Sequence, residues 1–91
     1  MTYKLVFTDL AERHIEKLGR VEPQSHKKLL TLLEELVIHP KNGRGHPKPL
    51  SGNRAGEWSR RITDRHRLVY EIRDTEVIVL VLSAYGHYHD K

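Results

Sequence analysis

The fold is decided by residues 56–85, which read GEWSRRITDRHRLVYEIRDTEVIVLVLSAY. Three stretches rich in aromatic and β-branched residues are separated here by two short polar turns, at 64–65 and 74–75. This spacing is typical of strands joined by tight turns. The segment therefore predicts an antiparallel meander with strands over residues 57–63, 66–73 and 76–85.

The residues before this segment predict one further strand and two helices. Residues 3–8 alternate as a strand does, and Thr8 or Asp9 is suited to cap a helix over residues 9–18 that ends at Gly19. A second helix is predicted from about Glu22 to Pro40, where apolar residues recur at helical spacing, namely Leu29, Leu32, Leu33, Leu36 and Val37. We therefore expect an α+β fold, a single domain over residues 1–91, with two helices on one face of a four-stranded sheet in the order β-α-α-β-β-β.

Length and composition exclude several classes of protein. The chain has 91 residues and no cysteine, which excludes a disulfide scaffold, a thiolate zinc site and a cysteine nucleophile. Its longest apolar run, residues 77–82, is far shorter than the roughly 20 residues of a membrane-spanning helix. The N-terminus also lacks the apolar core of a signal peptide. We expect a small cytoplasmic protein whose chemistry takes place on an open surface.

The positive charge is concentrated in the second half of the chain. The formal net charge is +4, yet residues 41–73 alone carry nine basic and three acidic side chains. Seven of the nine are arginines, whose planar fork suits phosphate. This distribution favours a polyanionic partner, above all nucleic acid. The alternative is a solvated basic surface that serves only solubility.

The strand pattern brings candidate catalytic groups to one face of the sheet. Because strand residues alternate between faces, Ser59, Arg61 and Thr63 are predicted on the open face, opposite the core-facing Trp58, Arg60 and Ile62. In the next strand, the same alternation predicts Arg67, Val69, Glu71 and Arg73 on that open face. The glycine- and proline-rich loop over residues 41–56 is long for a compact domain, and loops of this length are usually functional or disordered.

These groups suit RNA cleavage, especially if a last strand brings His87 and Tyr88 beside the arginines. In that reaction a 2′-hydroxyl attacks the adjacent phosphate and expels the 5′-oxygen. A base takes the proton of the 2′-hydroxyl, an acid protonates the leaving oxygen and cations stabilise the phosphorane. An imidazole titrates near neutrality and serves as acid or base. Two other interpretations stay open from the residues alone, namely an arginine hairpin that is a salt-bridged surface and a chain end that is a frayed tail.

We expect neither a metal nor a cofactor. His87, His89 and Asp90 are possible metal ligands, but they lie in a chain end that no predicted element orders. No glycine-rich phosphate loop follows a strand, and no nucleophile elbow supports a Ser-His-Asp triad.

Three motifs resemble the YoeB/Txe branch of the RelE toxin superfamily. They are GRGHPKPL at 43–50, GEWSRRITDRHRLVY at 56–70 and GHY at 86–88. The resemblance implies a RelE-like sandwich of two helices against a twisted, mostly antiparallel sheet. It implies a type II toxin that cuts mRNA in the ribosomal A site without a metal. It also implies a cognate antitoxin that neutralises the toxin, operator DNA bound only through that antitoxin, and a possible homodimer.

The resemblance also implies roles for particular residues. Arg61 and Arg67 would bind the scissile phosphate, His87 would be the general acid and Tyr88 would position the substrate. Five further basic residues of this half are expected to contact RNA, namely Arg44, His46, Arg60, Arg65 and Arg73.

Lys48 departs from the family pattern, which has a glutamate proposed as general base at this position. Lys48 would act as a base with a lowered pKa or supply positive charge to the transition state, or His46 would take over as base. A weakened or inactive nuclease is the fourth possibility. Two other functions therefore compete: a non-catalytic homologue that binds antitoxin and ribosome, and a gyrase poison, because ParE toxins share the fold.

Overall fold

The computed structural model describes residues 2–86 and has the predicted α+β architecture. Its elements are β1 (Lys4–Phe7), α1 (Asp9–Val21), α2 (Pro23–Ile38), β2 (Lys48–Pro49), β3 (Glu57–Arg61), β4 (Arg67–Arg73) and β5 (Ile78–Ser83). The sheet has the strand order β1-β5-β4-β3-β2, in which β1 runs parallel to β5 and the other pairs are antiparallel. The predicted meander is confirmed as β3, β4 and β5.

The sheet has five strands instead of the four predicted. The additional strand, β2, consists of Lys48 and Pro49 and pairs with β3 at the sheet edge. Two residues are too few to show an alternating pattern, so this strand was included in the predicted loop.

Helix α1 extends past Gly19, where the sequence predicted its end. The glycine lies where α1 packs against α2, and a Cβ atom there would stand 3.3 Å from the His26 ring. Its role is close helix packing, and the helix ends two residues later. At the other end, Thr8 caps α1 by accepting a hydrogen bond from the Ala11 amide, as one of the two predicted caps.

The core lies between the two helices and one face of the sheet. Four of the five stripe residues of α2, Leu29, Leu32, Leu33 and Leu36, are buried there, and Val37 is half-buried. The sheet contributes Leu68, Tyr70, Val79 and Val81, and Ile62 joins them from just after β3. The face of the sheet away from the helices is therefore left for a site. Within residues 2–86, neither helix combines the length and apolar character needed to cross a membrane.

Candidate nucleic-acid interface

Two arginines lie directly opposite each other on neighbouring strands, and the sequence predicted that they share a face of the sheet. Arg61 ends β3, Arg67 begins β4, and the two are register partners. Side chains at such positions have Cβ atoms about 4.5–5.5 Å apart, and like charges there repel each other. Arg61 has one weak ion pair, 3.7 Å from Asp64, and no carboxylate within the described residues pairs with Arg67. A bound anion would relieve this repulsion.

Lys48 lies on the same face as the arginine pair. It is the register partner of Ser59, which precedes Arg61 by two residues in β3. Paired residues share a face, so Lys48 and Arg61 are diagonal neighbours, at roughly 7–8 Å in such a ladder. Short β2 thus brings a third cation to the site.

The centre of this face is less open than the sequence predicted. Ser59 and Val69 are register partners on it, and they are 0% and 2% exposed. The Ser59 hydroxyl is buried, and no hydrogen-bond partner is found for it among the described residues. The accessible part of the face is therefore its edge, where Arg61 is exposed and Arg67 half-buried.

Arg60 was predicted to contact RNA, and this prediction is wrong. Its side chain is 0% exposed, because the alternation of β3 turns it to the core side. There Nη1 pairs with Glu35 at 2.9 Å and Nε donates to the Tyr70 hydroxyl at 3.1 Å. The other donors reach carbonyl oxygens of the chain after α2, those of His39, Asn42 and Arg44. Arg60 therefore shapes the loop that precedes β2 and does not reach solvent.

Glu35 supports the same loop from α2. Its carboxylate accepts a 2.9 Å hydrogen bond from the Arg44 amide and also pairs with the Arg60 guanidinium. The amide of Arg44 first, and the Arg60 guanidinium after it, hold the pKa of the Glu35 carboxyl below its usual value. The loop then bonds to β3 through Gly45, whose carbonyl accepts from the Arg61 amide at 2.7 Å.

Arg44 and His46 line a cleft beside the arginine pair. The cleft has a volume of about 260 Å³ and lies between α2, the loop and the end of β3. Its lining is Lys28, Thr31, Leu32, Arg44, Gly45, His46, Arg61 and Ile62. Lys28 was missed by sequence analysis, because its place beside β3 depends on how α2 crosses the sheet.

Two predicted RNA contacts form ion pairs with glutamates. Arg73 ends β4, six residues from Arg67, and a strand of that length spans about 20 Å. At that end of β4, the Arg73 Nε atom lies 3.5 Å from the Glu71 carboxylate oxygen Oε2. Arg65 lies in the turn before β4, and its guanidinium pairs with Glu22 at 3.2 Å, at the junction of the two helices. The structure thus does not gather all five predicted RNA contacts.

The chain after β5 returns to the arginine pair. Gly86 is held on both of its backbone groups: its carbonyl accepts from the Arg67 amide at 3.0 Å, and its amide donates to the His66 ring at 2.8 Å. His87 and Tyr88, together with the possible metal ligands His89 and Asp90, lie outside the described residues. Within residues 2–86, no three His, Asp or Glu side chains are grouped as metal ligands would be.

His66 was also missed as a residue of this region. It is 4% exposed, and its Nε2 lies 2.8 Å from the Glu22 carboxylate. The hydrogen bond with His66 is the main cause that lowers the pKa of Glu22. A single histidine beside the arginine motif gave no pattern that predicted this burial.

Comparisons with known proteins agree on one family. Residues 10–88 match the family model described as the YoeB-like toxin of bacterial type II toxin–antitoxin systems. The chain is similar to toxin YoeB of Synechocystis, with 35% identity over 93% of this chain and 96% of the relative.

Solved structures are similar across nearly the whole chain. A YoeB/ParE toxin from Agrobacterium tumefaciens superposes with a TM-score of 0.88 at 35% identity, covering 93% of this chain and 99% of that one. YoeB of Staphylococcus aureus, in its complex with YefM, superposes with a TM-score of 0.81 at 28% identity, covering 97% of this chain and all of that one. Sequence motifs, fold and comparisons together show that this chain belongs to the YoeB-like toxins of bacterial type II toxin–antitoxin systems.

Proposed function

We propose that this toxin is a ribosome-dependent endoribonuclease that inhibits translation by cutting mRNA in the A site. One observation carries the proposal: Arg61 and Arg67 face each other on one side of the sheet, and Gly86, which directly precedes His87, is bonded to the backbone of Arg67. Two cations suited to phosphate thus lie where β3 ends and β4 begins, next to the residue that precedes the proposed acid.

In the proposed reaction, the 2′-hydroxyl oxygen bonds to the adjacent phosphorus and the bond from phosphorus to the 5′-oxygen breaks. Arg61 and Arg67 donate to the phosphoryl oxygens, whose negative charge is greatest in the phosphorane. His87 gives its proton to the leaving 5′-oxygen as general acid, and Tyr88 positions the substrate. The products are a 2′,3′-cyclic phosphate and a 5′-hydroxyl, and none of these steps uses a metal ion.

We assign to Lys48 the role of a third cation at the phosphorane. Its place in β2, diagonal to Arg61, supports this role, because a fixed ammonium next to the developing charge stabilises it. The proton of the 2′-hydroxyl goes to the imidazole of His46, which is exposed on the wall of the cleft beside Arg61, because a cationic Lys48 has no lone pair to accept it.

The partners proposed for this chain are a cognate antitoxin, the 70S ribosome with its mRNA, and a second copy of the chain. Relatives from Staphylococcus aureus were solved as a YoeB dimer and as a YoeB–YefM complex. An antitoxin segment that is acidic or amphipathic would neutralise the toxin by covering its basic face. Operator DNA would be bound only through that antitoxin.

The test is cleavage of a translated mRNA by the purified toxin, with and without 70S ribosomes, followed by mapping of the 5′ ends. We expect cuts at A-site codon positions with ribosomes only, 5′-hydroxyl ends, and resistance of a message with a 2′-deoxynucleotide at the cut position. The ribosome-free reaction is repeated with EDTA as a control for contaminating metal-dependent nucleases.

A second outcome would favour the non-catalytic alternative. If the folded protein binds ribosomes and leaves the message intact, it acts as a binding module, and Lys48 becomes the suspected cause. If it instead poisons gyrase, the assignment to the nuclease branch is wrong.

A further inference from the structure

Two histidine rings accept hydrogen bonds from the backbone just after β5. The Ala84 amide donates to Nδ1 of His14 at 3.0 Å, and the Gly86 amide donates to Nδ1 of His66 at 2.8 Å. An imidazole nitrogen accepts a hydrogen bond only when it carries no proton. Both rings must therefore be neutral, with their proton on Nε2, for these two contacts to exist.

Glu22 sets the orientation of the His66 ring. Its carboxylate accepts from Nε2 of His66 at 2.8 Å and also accepts from the Ser25 hydroxyl at 3.0 Å. With Nε2 protonated against a carboxylate, the Nδ1 lone pair is directed at Gly86. Because Arg67 donates to the carbonyl of the same glycine, two consecutive residues hold Gly86 from both sides.

His14 holds the other contact from α1. Its ring centroid lies 5.9 Å from that of Tyr85, and the Tyr85 ring lies 4.4 Å from His66. Tyr85 is thus in contact with both imidazoles, with Lys17 Nζ 4.3 Å from its centroid. Partial burial, and after it Arg13 and Lys17, lower the pKa of His14, which favours the neutral ring that the contact requires.

We propose that His14 and His66 are positioning residues that fix Ala84 and Gly86, and with them the point from which the chain continues to His87. This inference rests on the proposed function, because that function gives the following segment its reacting group. Neither ring is placed on the substrate, so both act through the backbone. A displacement of about 1 Å in such a segment is enough to lower a rate about 100-fold.

The test compares variants that keep or remove the acceptor nitrogen. His14→Asn retains an acceptor at the place of Nδ1, whereas His14→Leu keeps a similar size without it. His39→Leu is the matched control, because it removes a histidine with an exposed side chain at the end of α2. The same pair at position 66 is a second set, and each variant is checked by its unfolding midpoint.

We expect His14→Leu to lower kcat for ribosome-bound mRNA by about 10- to 100-fold with KM little changed. His14→Asn should restore most of the rate, and amide exchange at Ala84 should be faster only in the leucine variant. Wild-type kcat in His14→Leu and His66→Leu would overturn the inference, as would equal losses in His14→Asn and His14→Leu. A wild-type protein that never cleaves would instead overturn the proposed function, and the positioning role with it.

Discussion

Replacing Arg60 by methionine should destabilise the fold, although its neighbour Arg61 can be replaced at little cost. The buried guanidinium of Arg60 pairs with Glu35 and donates to the Tyr70 hydroxyl and three loop carbonyls. Removing one partner of a buried ion pair costs about 3–5 kcal/mol. Glu35 would keep its contacts with Arg44, but the Tyr70 hydroxyl and the three loop carbonyls would also lose their charged donor, so we expect a cost in this range. Arg61 is exposed, so Arg61→Ala should cost no more than about 0.5 kcal/mol.

Urea unfolding measures this difference. With a slope of about 1.5 kcal/mol per molar urea, a loss of 3–5 kcal/mol lowers the midpoint by roughly 2–3 M. Arg60→Lys is a useful comparison, since it keeps the charge but lacks the planar fork, and it should lie between the two. An Arg60→Met midpoint within 0.5 M of the wild type, used here as roughly the resolution of the assay, would refute the structural role of Arg60.

Three further predictions concern other parts of the molecule. The pKa of Glu22 is lowered in the folded state, so the stability that this carboxylate contributes is present above about pH 4.5 and is lost as the pH falls below that value. In Glu22→Gln, the urea midpoint should therefore change less with pH in that range than in the wild type. Gly45→Ala should lower the melting temperature of the protein more than Gly52→Ala does. Both glycines have positive φ, but a Cβ at Gly45 would lie 2.8 Å from the Arg61 carbonyl oxygen, whereas nothing lies within 4 Å of a Cβ at Gly52. Lys48→Glu should lower the cleavage rate if the cation is used at the phosphorane, and a higher rate would show that lysine is a handicap at this position.

The strand alternation of β3 and β4 made the fold and the shared face of the two arginines predictable. A period of two places Arg61 and Arg67 on one face. A two-residue turn at 64–65 would set Arg61 opposite Leu68, whereas the observed register sets it opposite Arg67, so the exact pairing was not predictable from the turn. The same alternation predicted that Arg60 lies on the core side of β3. The prediction that Arg60 contacts RNA was based on its charge alone, and the alternation predicted its position correctly.

The parts that could not be predicted depend on contacts between residues distant in sequence. Lys48 joins the sheet through a strand of two residues, too short to show a period. The buried His66 ring contacts Glu22, which is 44 residues earlier in the sequence at the junction of the two helices, and no local pattern indicates this contact. Neither the pairing of Glu35 with Arg60 nor the position of Lys28 in the cleft has a signal in local sequence.

The most direct test of the central claim is the single-turnover rate of mRNA cleavage on 70S ribosomes for Arg67→Ala and Arg73→Ala. Both variants remove one arginine from β4, but only Arg67 faces Arg61. We predict a loss of about 10²–10³-fold for Arg67→Ala, the size expected for one donor to a developing oxyanion, and less than about threefold for Arg73→Ala. Equal losses for the two variants would show that general charge attracts the RNA, and would contradict a phosphate site built from Arg61 and Arg67.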